Sequence, residues 1–182
     1  MIFEETSLPG AYIVTLAGIE DERGFFARQF CEREFGERGL MTRVAQVNTS
    51  YNASRGTLRG LHYQLPPRAE AKLVRCVAGA VHDVIVDMRS GSETFGQTFG
   101  RELSSANRAM MYVPRGFAHG FITLADSTEL IYLMDEFYSP EFERGIRWND
   151  KRFSIEWPIA PRFMSPRDEN HRDFDPAWHL GT

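Results

Sequence analysis

Histidine 62 stands in the stretch "RGLHYQ", with an arginine three residues before it and a glutamine two after. An imidazole in such a place is a metal ligand, a general base or a packed core residue. Other polar groups lie far off in the chain, where a lysine alone reads as a surface charge and a tyrosine alone as a core aromatic. Lys72 opens "KLVRCVAG", Asp83 and Asp87 sit in "VHDVIVDMR", and His119 stands in "VPRGFAHGF". Tyr132 lies inside "ELIYLM", and Asp168 ends "SPRD". An imidazole, a phenol, an ammonium and several carboxylates are the groups that general acid–base catalysis uses. From the residues alone, Asp83, Asp87 and Asp168 are rival partners for His62.

The elements that must position these groups show period two. Lys72, Val74 and Cys76 share one face of their run, and Leu73, Arg75 and Val77 the other. Val84, Val86 and Met88 oppose Asp83, Ile85, Asp87 and Arg89, while Leu130, Tyr132 and Met134 oppose Glu129, Ile131 and Leu133. The turn signals "VAGAV", "RSGSETFG", "SSANR" and "VPRG" separate such runs. Many short strands at this spacing predict an all-β sandwich or barrel. A barrel of about eight strands holds one small ligand, and inward Arg, Lys, His and Tyr would line a wet, charged pocket. Helical pattern is sparse; "EREFGERGL" is the best short candidate. The tail after Pro158 reads as loops and short turns laid over the barrel.

The 182 residues suit one domain, 1–182. Hydrophobic residues make up 42% and charged residues 25%, the balance of a globular chain. Fourteen Phe fit a β-rich core or a lined pocket. A net charge of -4 argues against nucleic acid as the main partner. Two cysteines are too few for a disulfide scaffold. The N-terminus lacks a signal-peptide pattern and no apolar run suits a membrane span, so a cytoplasmic protein without membrane partners is expected.

Pro114, Gly116 and His119 form the pattern P-x-G-x-x-H. This resembles the second motif of cupins, the double-stranded β-helix or jelly-roll barrels. In metal-binding cupins the first motif carries an H-x-H pair; here it reads His62-Tyr63-Gln64. Gln64 leaves too few imidazoles for a catalytic metal, so no metal and no cofactor is expected. A metal-dependent dioxygenase or isomerase is the rival that metal analysis would expose.

The ordered set "DERGFF", "QVNTS", "LRGLHYQ", "KLVR", "HDVIVDMR", "VPRGFAHGF", "YSPEFERGIRWND" and "SPRD" resembles the dTDP-4-dehydrorhamnose 3,5-epimerase family. That resemblance spans about residue 20 to residue 168. It implies a metal-free cupin-type fold and a nucleotide-linked 4-keto-6-deoxyhexose as substrate. The ketone acidifies the hydrogens on carbons 3 and 5. The resemblance makes His62 the base, Asp168 its orienting carboxylate, Lys72 the stabiliser of the enolate oxygen and Tyr132 the acid on the opposite face. It matches Arg23, Arg59, His119 and Arg167 to binding of the nucleotide sugar, with Gln46, Asn48 and Glu143, and places Tyr138 to stack on a base.

Two positions depart from the family pattern. Arg167 replaces a lysine, and Arg28 replaces a glutamate five residues after Arg23. A donor-only Arg28 facing the base would favour cytosine or guanine over thymine, so a CDP- or GDP-linked sugar is an alternative to dTDP. Epimerisation at carbon 3 alone is another, and a non-catalytic sugar-nucleotide binding protein a third. The resemblance also implies a homodimer with exchanged N-terminal strands, for which "AYIVTLAGI" has the β-branched content.

Overall fold

A computed structural model describes residues 1–181. The period-two runs become strands because their two faces are buried in different places. Among the described residues the strands are β1 (Ile2–Glu5), β2 (Tyr12–Thr15), β3 (Ile19–Asp21), β4 (Gly24–Phe26), β5 (Gln46–Asn52), β6 (Leu58–Gln64) and β7 (Lys72–Ala78). They continue with β8 (Ala80–Asp87), β9 (Thr98–Ser104), β10 (Met110–Val113), β11 (Phe117–Thr123), β12 (Thr128–Met134) and β13 (Glu143–Gly145). Three short helices, α1 (Glu32–Gly36), α2 (Pro166–Glu169) and α3 (Pro176–Leu180), complete the fold.

Two antiparallel sheets dominate, one in the order β1-β2-β10-β7-β12-β5 and the other β13-β6-β11-β8-β9. β3 and β4 pair separately as an exposed hairpin. The fold is all-β and cupin-like, as expected, but its two sheets are not hydrogen-bonded into one closed barrel.

Side chains from both sheets form the central core: Val74, Cys76, Met111 and Leu130 from one, Val81, Ile85, Leu103, Phe117 and Phe121 from the other. The opposite faces are covered too. Phe35 of α1 and Met41 pack on Leu73, Met110 and Tyr112 outside the six-stranded sheet. The C-terminal segment lays Ile155, Trp157, Phe174 and Leu180 over Leu61, Tyr63, Val84 and Val86 outside the five-stranded sheet. Central strands such as β7 and β8 therefore send one set of side chains inward and one beneath a covering layer. That is why β8 carries valines on both of its faces. The tail carries α2 and α3, and among the described residues no helix is long and apolar enough to cross a membrane.

Candidate active site

The site depends on one irregularity in β6. Strict alternation would put Arg59 and His62, three residues apart, on opposite faces. Instead the pairing of β6 with β11 slips: His62 lies across from His119, and Arg59 across from Phe121. Two residues, Gly60 and Leu61, thus stand opposite Gly120 alone, a β-bulge that re-aims the chain. Only glycine fits at position 60. Its φ is +117°, and an added Cβ would lie 2.6 Å from the Gly120 Cα and 2.8 Å from the His119 carbonyl oxygen. The bulge brings Arg59 and His62 to the same cavity.

That cavity, of about 530 Å³, opens between the sheets. His62 and His119 line it from the five-stranded sheet, and Lys72, Tyr132 and Asn48 from the six-stranded one. His62 Nε2 lies 2.7 Å from Asp168 Oδ1, so Asp168 is the partner among the three rivals. α2 holds Asp168 in place, capped where the Ser165 hydroxyl accepts the Asp168 N–H at 3.1 Å. Burial pushes the Asp168 carboxyl up, but the imidazoles of His171 and His62 beside it outweigh this and hold the group well below the usual carboxylate range. Asp83 serves His119 instead, at 2.8 Å. Asp87 is taken by Arg89, Ser92 and Thr94.

Lys72 is nearly enclosed. Its Nζ donates to the His62 carbonyl oxygen at 3.1 Å and pairs with Glu70 Oε1 at 3.0 Å. Tyr132 is half-buried; desolvation raises its phenol, with Arg59 acting the other way, so it stays protonated at neutral pH. Base-type and acid-type groups thus face one cavity from different sheets.

The polar rim is interlinked. Arg59 donates to the Asn52 side chain at 2.7 Å, and Gln46 accepts the Tyr138 N–H at 2.9 Å. Asn48 reaches the Met134 sulfur at 3.2 Å. The Tyr138 hydroxyl donates to Glu143 at 2.6 Å, and Arg167 ion-pairs with the same carboxylate. That bond to Glu143 raises the Tyr138 phenol. Gln64, at the cupin ligand position, is occupied by the loops: it donates to the carbonyls of Arg68 and Phe137 and accepts the Ser139 N–H.

Two expected site residues are not brought together with the rest. Arg23 folds back on Asp21 in the exposed β3–β4 hairpin. Arg28 lies near Glu34, 3.5 Å away, beside α1. Neither lines the cavity of its own chain, because the hairpin and α1 sit outside the sandwich. The Arg28 argument for cytosine or guanine loses its geometric footing. Sequence reasoning missed Glu70 and His171. Glu70 is two residues from Lys72 on the same strand-like spacing, a signal that was available. His171 lies in the C-terminal tail, and nothing local marked it.

Fold and cavity define a cupin-type jelly roll whose pocket gathers acid and base groups from both sheets. Residues 5–175 match the family described as dTDP-4-dehydrorhamnose 3,5-epimerase. A dTDP-4-dehydrorhamnose 3,5-epimerase of Shigella flexneri is 45% identical over 171 residues, 93% of this chain and 94% of that one. The crystal structure of such an enzyme from Elizabethkingia anophelis NUHP1 superposes with a TM-score of 0.92 at 44% identity, covering 96% of each chain. A Legionella pneumophila epimerase solved with dTDP-4-keto-L-rhamnose gives 0.88 at 37% identity, covering 94% of this chain and 92% of that one. The chain belongs to the dTDP-4-dehydrorhamnose 3,5-epimerase family and is an epimerase.

Proposed function

We propose that this enzyme epimerises carbons 3 and 5 of a dTDP-linked 4-keto-6-deoxyhexose. The observation that carries this is the His62–Asp168 pair on one wall of a cavity whose other wall supplies Lys72 and Tyr132. His62 removes the proton next to the ketone. Asp168 fixes the ring by accepting the Nε2–H, which leaves the other ring nitrogen as the base, and it stabilises the imidazolium that forms. Lys72 supplies positive charge to the enolate oxygen. Tyr132, kept protonated by burial, returns a proton from the opposite face. No step in this scheme calls for a metal or organic cofactor.

Arg59 and Arg167 offer guanidinium groups to the diphosphate, with His119, Gln46 and Asn48 around the sugar and Tyr138 with Glu143 toward the base. We take dTDP as the nucleotide because the Legionella relative was solved with a dTDP sugar. A homodimer belongs to the same proposal. The β3–β4 hairpin exposes Ile19, Phe25 and Phe26, and edge strand β5 exposes Val47 and Tyr51. Unpaired edges and apolar hairpins invite a second copy, and in such a dimer Arg23 on the hairpin serves the partner's cavity. The two cysteines, Cys31 and Cys76, are free thiols, which suits a cytoplasmic enzyme.

The test is exchange in deuterium oxide with a dTDP-4-keto-6-deoxyhexose, read by mass spectrometry and NMR. Two deuterium atoms, at carbons 3 and 5, are expected. One atom only would mean a 3-epimerase. Binding without exchange would mean a non-catalytic protein and sink the proposal. Running CDP and GDP sugars beside dTDP ranks the nucleotides.

A further inference from the structure

His171 has no task in the scheme above. Its side chain is only 9% exposed, and among the described residues Nε2 has no hydrogen-bond partner. That nitrogen lies 3.6 Å from Asp168 Oδ1, the same oxygen that meets His62 Nε2 at 2.7 Å. The two imidazoles stand edge to face with centroids 5.6 Å apart. The ring fits there because residue 145, register partner of His62, is glycine; a Cβ would collide with it.

A buried imidazole nitrogen without a hydrogen-bond partner is unfavourable, so a bare packing role leaves it unexplained. Its geometry matches a known kind of ligand. One ligand atom from each of His62, Asp168 and His171 lies within 4.8 Å of the other two. A tetrahedral zinc with bonds of roughly 2.0–2.1 Å holds its ligand atoms about 3.3 Å apart. The separations of 2.7 and 3.6 Å to Asp168 Oδ1 fall on either side of that value. Small ring movements, well under the width of an atom, would open the dyad and admit the ion. Two imidazoles and one carboxylate suit zinc and its neighbours rather than magnesium or calcium. The fourth position would face the cavity, from which His62 is reachable, being 33% exposed.

We propose that His62, Asp168 and His171 form a binding site for a divalent transition metal of the zinc type and, resting on the assignment of His62 as the base, that an ion bound there silences catalysis. The ion takes the Nε2 lone pair of His62. The proton that Nε2 shared with Asp168 moves to the other ring nitrogen, whose lone pair is then no longer available to the substrate. No electron transfer is involved, and removing the ion restores the dyad.

The experiment uses the full chain stripped of metal with a chelator and titrated with zinc chloride by calorimetry, with magnesium chloride as the control. Saturable binding of one zinc per chain, and none of magnesium, is expected. His171→Asn and His171→Leu should each weaken zinc binding at least 10-fold, since even outer-shell losses reach about 10–100-fold. Deuterium exchange by the wild type should fall as zinc saturates and recover on chelation. Each variant, referenced to its own metal-free rate, should resist zinc. Absence of saturable binding, or unchanged affinity in both variants, overturns the site. Zinc binding that leaves wild-type exchange untouched overturns the inhibitory role. Zinc binding that depends on His171 in a protein with no exchange on any nucleotide sugar leaves the metal site standing and removes the epimerase assignment instead.

Discussion

Replacing Glu70 and Lys72 singly and together separates what this pair does for stability from what Lys72 does for chemistry. The side chains are 4% and 9% exposed and their charged atoms lie 3.0 Å apart. At an effective dielectric constant of about 20, unit charges at that distance attract by roughly 5–6 kcal/mol. Burial offsets most of this in the intact pair, but a single replacement leaves one charge enclosed and unpaired. Glu70→Leu strands the Lys72 ammonium. Lys72→Met strands a carboxylate whose Oε2 already lacks a hydrogen-bond partner among the described residues. Each should lose about 3–5 kcal/mol. The double variant removes both charges and should return to within about 1–2 kcal/mol of wild type, since buried pairs exchanged for apolar residues are often neutral. Urea denaturation of the four proteins gives the coupling energy directly. Activity should split differently: Glu70→Leu keeps the ammonium and measurable exchange, whereas Lys72→Met and the double variant lose it. Additive stability losses, with the double variant the least stable, would show that the two charges do not act as a buried pair.

Other replacements probe the remaining groups. His62→Ala should lower turnover by about 10²–10⁴-fold with nucleotide affinity largely kept; near-normal exchange would remove His62 as the base. Tyr132→Phe should still exchange deuterium but form less epimerised product, which comparing exchange with net conversion reveals. Asp87 is held down at about 2 against its ordinary 3.8, because hydrogen bonds from Arg89, Ser92 and Thr94 outweigh burial. A depressed carboxyl stabilises the fold above its unfolded value and loses that contribution as pH falls through about 4 toward 2. The share is roughly 2–3 kcal/mol, and Asp87→Asn should flatten the acid limb of stability against pH. Gly60→Ala should destabilise by at least about 2 kcal/mol and abolish exchange, since its Cβ would meet the Gly120 backbone; a stable, active variant would show that the bulge does not aim His62.

Much of this protein was legible in its residues because burial on a strand is a local, periodic property. The sets Lys72–Val74–Cys76 and Leu130–Tyr132–Met134 contribute to the core and the cavity, and Val84, Val86 and Met88 lie under the tail. The chemical types of the cavity groups were visible for the same reason: a polar residue on an inward face stands out. Partner choice was not legible from residue type, and only the resemblance singled out Asp168. Asp83, Asp87 and Asp168 are equivalent as letters, and the placement of α2 against β6 is what brings His62 the carboxylate 106 residues away. Alternation gave the wrong relation between Arg59 and His62, because a bulge at Gly60 adds one residue and reverses the parity. Glu70 and His171 were overlooked, since their importance comes from neighbours supplied by folding. Arg23, which matches the family pattern, and Arg28, which departs from it, both lie outside the cavity, because the hairpin and the segment leading to α1 are not part of either large sheet. The side-chain period of a strand is set by bonded geometry and is written in the sequence. Which charged atoms come within 3 Å of one another is set by how the sheets, the tail and the bulge pack, and that is decided only in three dimensions.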